Sequence, residues 1–142
     1  MKIKDYLKLM VEKNASDLFF RAGGDIRMRI DGKVVVIDER IVNLDEVKDA
    51  IKDLTSDKLR DFFQNNLDVD FSLYVPELDN RFRISIFMQR NWPALVIRNI
   101  SRNIQTFEEL NLPAEILKKL CTEMRGLILL TGSAGSGKST TI

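Results

Sequence analysis

The sequence predicts an α+β domain, an antiparallel sheet with flanking helices, followed by the truncated start of an α/β domain. Three observations carry that prediction. Ile3, Leu7, Met10 and Val11 recur at helical spacing. Val69, Phe71, Leu73 and Val75, then Phe82, Ile84, Ile86 and Met88, alternate with polar residues, as strands with one wet face do. Near the C-terminal end the apolar run Gly126–Thr131 leads into the glycine-rich stretch Gly132-Ser133-Ala134-Gly135-Ser136-Gly137-Lys138-Ser139. Such a run reads as a strand buried on both faces of a parallel sheet.

The elements follow in order. The first helix runs to about Lys13, where Asn14-Ala15-Ser16 breaks it. Two short strands, Asp17–Arg21 and Ile26–Ile30, flank the Gly23-Gly24 turn. Asp31-Gly32 is a two-residue hairpin signal that returns through Lys33–Ile37. Asn43, with Glu46 three residues on, opens a helix that buries Leu44, Val47, Ile51 and Leu54. Thr55 or Ser56 caps the next, burying Leu59, Phe62 and Phe63. A turn at Pro76–Asn80 joins the two alternating strands, and a Trp92-Pro93 corner precedes Leu95 and Ile97. A domain boundary is expected near Ser101-Arg102-Asn103, dividing residues 1–100 from 101–142. Beyond it come a helical turn at Thr106–Leu110, a helix from Pro113 through Cys121, and the apolar run.

Composition narrows the function classes. The 142 residues are 44% hydrophobic and 30% charged, ordinary for a globular chain with a core. With 22 basic against 21 acidic residues, the net charge of +1 suggests neither nucleic acid nor a membrane surface as a partner. The chain has no histidine, which excludes imidazole ligation and histidine acid–base catalysis. One cysteine gives neither a disulfide framework nor a zinc pattern, and Cys121, in an apolar helical stretch, is expected to be a small buried hydrophobe. No signal-peptide core and no run approaching membrane-span length is present, so a cytoplasmic protein without direct membrane insertion is expected.

The glycine-rich stretch is G-x-x-x-x-G-K-[ST], the Walker A loop of ATPases and GTPases. Glycines at 132, 135 and 137 let successive backbone N–H groups ring a phosphate. Lys138 brings a point charge to the outer phosphates, and the Ser139 hydroxyl is a Mg²⁺ ligand. The expected ATP-binding set is Gly132, Ser133, Ala134, Gly135, Ser136, Gly137, Lys138, Ser139 and Thr140. Hydrolysis also needs an acidic Walker B strand and a residue that orients the attacking water. Neither lies between Gly132 and Ile142, so the 142-residue chain by itself is expected to be inactive.

In the strand Arg81–Gln89, Arg81, Arg83 and Ser85 lie opposite the apolar set, and Arg98 lies opposite Leu95 and Ile97. Two arginines on the wet face of adjacent strands can meet a phosphate; the alternative is that they are solvated surface charges. Asp68 and Asp70 lie opposite Val69 and Phe71, with nothing nearby to mark a catalytic pair.

Several stretches together resemble one family. They are Leu9-Met10-Val11-Glu12-Lys13, Ala15-Ser16-Asp17-Leu18, Met28-Arg29-Ile30-Asp31-Gly32, Asp70-Phe71, Arg81-Phe82-Arg83-Ile84-Ser85, Phe87-Met88-Gln89-Arg90-Asn91, Ile97-Arg98-Asn99-Ile100, Glu109-Leu110-Asn111-Leu112-Pro113 and Arg125–Gly132, closing with the Walker A loop. In this order the chain resembles the hexameric secretion and type IV pilus ATPases, and among them the twitching-motility retraction group, PilT and PilU. The opening and the Gln89-Arg90-Asn91 run look more like the PilU branch. Phe19 departs from the histidine many retraction ATPases carry, and Gly24-Asp25 replaces a proline pair.

The resemblance implies a PAS-like N-terminal domain over residues 1–100, then a linker and the start of a RecA-like ATPase domain over 101–142. It implies a parent that is a homo-hexamer, hydrolyses ATP with Mg²⁺ and powers pilus retraction. That parent would be cytoplasmic and peripheral to the inner membrane through pilus platform proteins, with no nucleic-acid partner. Arg83 and Arg98 match positions where the family sets arginines against the outer phosphates, beside Lys138 as the third catalytic candidate; Arg81 is a weaker one. Three other readings stay open: a secretion or pilus-assembly ATPase, a non-catalytic subunit-contact module, and an unrelated P-loop enzyme such as a small-molecule kinase.

Overall fold

The computed structural model describes residues 1–100, 106–133 and 136–141. The chain divides into two compact units, Met1–Arg102 and Asn103–Ile142. In the first, the elements run α1 (Ile3–Glu12), β1 (Asp17–Arg21), β2 (Ile26–Ile30), β3 (Lys33–Asp38), α2 (Leu44–Leu54), α3 (Asp57–Asn66), β4 (Asp68–Val75), β5 (Asn80–Gln89) and β6 (Trp92–Ile100). The six strands form one sheet in the order β3-β2-β1-β6-β5-β4. Every neighbouring pair is antiparallel. Each half is a local meander, and the halves join where β6 pairs with β1.

The alternation of the strands decides which face is dry. Leu18, Met28, Phe82, Ile84, Ile86, Leu95 and Ile97 are buried on one side, under Tyr6, Leu7 and Met10 of α1 and Val47, Ala50 and Ile51 of α2. Each such large apolar side chain contributes about 1.5–3 kcal/mol when fully buried. The opposite face of the sheet carries the arginines and acids. At the start of α2, Asn43 Oδ1 accepts the Glu46 N–H at 2.9 Å and Glu46 Oε2 accepts the Asn43 N–H at 2.8 Å. This reciprocal cap satisfies two donors that would otherwise be orphaned.

Three local expectations need correction. The β5–β6 reversal falls on Arg90-Asn91, both left-handed at φ 51° and 63°, and not on Trp92-Pro93. Trp92 and Pro93 already pair with Gln89 and Met88, because a two-residue left-handed turn matches the twist of the strands it joins. Thr55 closes α2, its hydroxyl donating back to the Ile51 carbonyl at 2.6 Å, and Ser56 stands at the start of α3 without a side-chain cap. Helix α3 touches mainly the edge strand β4, so Leu59 and Phe63 are half-buried and Phe62 is exposed.

The second unit holds a capped turn, in which Thr106 N–H donates to Glu109 Oε2 and Glu109 N–H donates to Thr106 Oγ. Helices α4 (Ala114–Cys121) and α5 (Lys138–Thr141) follow. Two expectations fail here. Gly126–Thr131 forms no strand, and Leu127 and Leu129 are exposed. A strand exists only with partners for its N–H and C=O groups, and none is present among the described residues. Cys121 is exposed too, since α4 buries none of its residues.

Candidate functional site

In the second unit, Lys138 opens α5 and turns its ammonium back onto the loop. Its Nζ donates to the carbonyls of Gly132 at 2.8 Å and Ser133 at 2.6 Å, with the Ser136 hydroxyl at 3.4 Å. Gly137 sits at φ 88°, a conformation only glycine adopts readily. A Cβ at Gly132, whose φ is 157°, would come within 2.6 Å of Ser136 Oγ and force that hydroxyl to shift. The hydroxyl-bearing Ser139 and Thr140 follow on α5. Ala134 and Gly135 lie outside the described residues. The set is a lysine ammonium, hydroxyls and glycine-permitted backbone, which suits phosphate oxygens and a hard cation.

The other candidates meet on the wet face of the first unit's sheet. Register sets Arg83 of β5 directly opposite Arg98 of β6, Arg98 opposite Asp17 of β1, and Asp17 opposite Arg29 of β2. Like charges directly opposite destabilise a sheet, so this row depends on its acids. Arg98 Nε donates to Asp17 Oδ1 at 2.9 Å, and Asp17 Oδ2 accepts Arg29 Nε at 3.1 Å and the Ser16 hydroxyl at 2.9 Å. Arg83 grips Asp70 with Nε at 3.0 Å and Nη2 at 2.7 Å, and the Ser85 hydroxyl adds a bond at 3.2 Å. Arg81 lies two residues along on the same strand face, opposite Tyr74 and Ile100, with no carboxylate ion pair among the described residues.

The electrostatics follow from these bonds. Asp17 is 5% exposed. Its burial pushes the carboxyl up, but hydrogen bonds from Arg98, Ser16 and Arg29 outweigh that and hold it below the ordinary carboxylate range. Asp70 is held down chiefly by its hydrogen bonds to Arg83, against a smaller opposing effect of burial. Arg83 is raised in turn by Asp70. The arginines themselves remain open: the side chains of Arg83 and Arg98 are 59% and 63% exposed.

Alternation places Arg83 and Arg98 on this face, and the structure has them there, side by side. It does not reveal Asp17 and Asp70 as their holders. For Asp70 the signal was present, an acid on the wet face of the adjacent hairpin strand. For Asp17 it was not, because β1 and β6 are far apart in sequence.

A sequence model described as Type II/IV secretion system protein matches residues 1–142. The chain belongs to that family. Within the Type II/IV secretion family it is 38% identical, over all 142 residues, to the type IV pilus ATPase PilU of Pseudomonas aeruginosa, covering 37% of that relative. It is 38% identical over 142 residues to the retraction ATPase PilT of the same organism, covering 41% of it. Among solved structures, the pilus retraction motor PilT with bound ADP matches 99% of the chain with a TM-score of 0.81 and 38% identity, over 41% of that protein. The Legionella pneumophila ATPase DotB shares the fold, with a TM-score of 0.62 and 22% identity. This Type II/IV secretion family member is thus PilT/PilU-like and spans about two fifths of the length of those relatives. Among the described residues, no helix is long and apolar enough to cross a membrane, and no acidic or cysteine cluster could hold a metal ion unaided.

Proposed function

We propose that this chain is the N-terminal part of a homo-hexameric motor that hydrolyses ATP to power type IV pilus retraction. In this reading residues 1–100 form the PAS-like N-terminal domain, and 101–142 lead through a linker into the RecA-like ATPase domain. The observation that carries it is a Walker A loop inside a chain 38% identical throughout to both PilT and PilU. The motor works in the cytoplasm, against platform proteins of the inner membrane.

The loop Gly132–Thr140 holds the nucleotide, with Lys138 moving from its carbonyl partners onto the outer phosphates and Ser139 holding Mg²⁺. The metal neutralises phosphate charge when bound. Arg83 and Arg98 supply positive charge to the outer phosphate, where it counts most as charge develops in the transition state. The 142-residue chain alone does not turn over ATP, since Walker B chemistry is not among its residues. A second reading, a secretion motor, is favoured by the family description itself, which spans type II and type IV systems.

The deciding experiment is ATP turnover by the full-length protein with Mg²⁺, beside its Lys138→Ala variant. Loss of nearly all activity is expected, and a variant as fast as the parent would overturn the assignment. ATPase activity of the 142-residue chain that disappears with Lys138→Ala would overturn the claim that it is inactive alone.

A further inference from the structure

Arg83 and Arg98 are both solvent-facing and directly opposed, so without restraint they would repel and sample many rotamers. Neither is unrestrained. The acids that hold them stand on opposite sides of the pair: Asp17 on β1 beyond Arg98, and Asp70 on β4 beyond Arg83. Arg98 is held through Nε alone, and both its Nη nitrogens are without partners among the described residues. Arg83 gives Nε and Nη2 and keeps Nη1. Three guanidinium groups share two carboxylates here, so one positive charge remains in excess. A buried carboxylate is costly unless its lone pairs are filled, and the Asp17 carboxylate accepts from three donors.

We infer that Asp17 and Asp70 are positioning residues, which clamp Arg98 and Arg83 from either side of the pair so that the remaining N–H groups present one forked anion site to a nucleotide's outer phosphate. This rests on the reading of Arg83 and Arg98 given under the proposed function. The clamp differs from mere charge balance in one respect. It makes the arginines effective through orientation, so its loss slows turnover more than it weakens nucleotide binding.

The test is steady-state ATP hydrolysis by the full-length protein carrying Asp17→Asn, Asp70→Asn, Arg83→Ala, Arg98→Ala and the pairs Asp17→Asn/Arg98→Ala and Asp70→Asn/Arg83→Ala. Each Asp→Asn change is expected to lower kcat about tenfold, with KM for ATP within about twofold. Each pair should be no slower than its Arg→Ala member, because the acid acts only through that arginine. Asp25→Asn, which breaks the exposed Asp25–Arg27 pair on the same sheet, should keep the parental rate. Normal or raised kcat in the Asp→Asn variants, or losses that multiply in the pairs, would overturn the inference while leaving the arginines' role intact. Parental kcat in both Arg→Ala variants would overturn that role and the inference with it. If Asp17→Asn melts below assay temperature, the exposed Asp70 arm decides alone.

Discussion

Tyr6 and Asp38, 32 residues apart, meet in a 2.7 Å hydrogen bond that ties α1 to the end of β3. Arg40 joins them, donating Nε to Asp38 at 3.0 Å and Nη2 to the Tyr6 hydroxyl at 3.3 Å, and it also pairs with Glu46 of α2. Three elements thus share one polar knot at the margin of the core. The Tyr6 ring is wholly buried, so its hydroxyl needs that partner.

Tyr6→Phe keeps the ring and removes the bond. The expected cost is about 1 kcal/mol, or a drop of about 4–8 °C in melting temperature for a unit of this size. Thermal unfolding followed by circular dichroism checks it, and an unchanged midpoint would mean that the Tyr6 hydroxyl adds nothing to stability.

Acid should loosen the first unit through Asp17. Its folded carboxyl lies below the ordinary range, so its contribution is present in full above the unfolded value, about 4, and is lost as the pH falls through the lower folded value. Asp70 behaves in the same way. Melting temperatures between pH 7 and pH 3 should therefore fall below about pH 4. In Asp17→Asn the midpoint at neutral pH is lower and the fall shallower; parallel curves for parent and variant would refute this.

Core and edge should respond unequally. Ile97, wholly buried where β6 pairs with β1 and β5, should cost about 2–5 kcal/mol as Ile97→Ala. Val36 on the edge strand β3 is exposed, and Val36→Ala should stay within about 0.5 kcal/mol. Denaturant titration distinguishes the two.

The Arg90-Asn91 turn offers a backbone test. Asn91→Gly should be neutral or stabilising, because φ 63° suits glycine. Asn91→Val should cost about 1–2 kcal/mol, since a β-branched residue resists that conformation. Equal stability of the two variants would argue that the reversal lies elsewhere.

What could be read from residues alone was mostly what is local. The Asn43–Glu46 cap, the Asp31-Gly32 hairpin and the wet placement of Arg83 and Arg98 depend on spacings of a few residues, and the structure has all of them. The β1–β6 pairing is different, since no pattern within either strand names its neighbour. The burial of Asp17 came with that pairing and was hidden for the same reason. The exposure of Leu127 and Leu129 is the converse case, an apolar run whose strand character depends on partners beyond itself.

The central place of β1 imposes a timetable on synthesis. Asp17 and Arg98 are bonded neighbours separated by 81 residues of chain. At about 5–20 residues per second a ribosome adds the second roughly 4–16 seconds after the first. Through that interval the nascent hairpin of β1 and β2 offers an open strand margin to whatever else is nearby. Chaperone capture or misassembly should therefore concentrate on this early-emerging segment, and should cease once Trp92–Ile100 clears the exit tunnel.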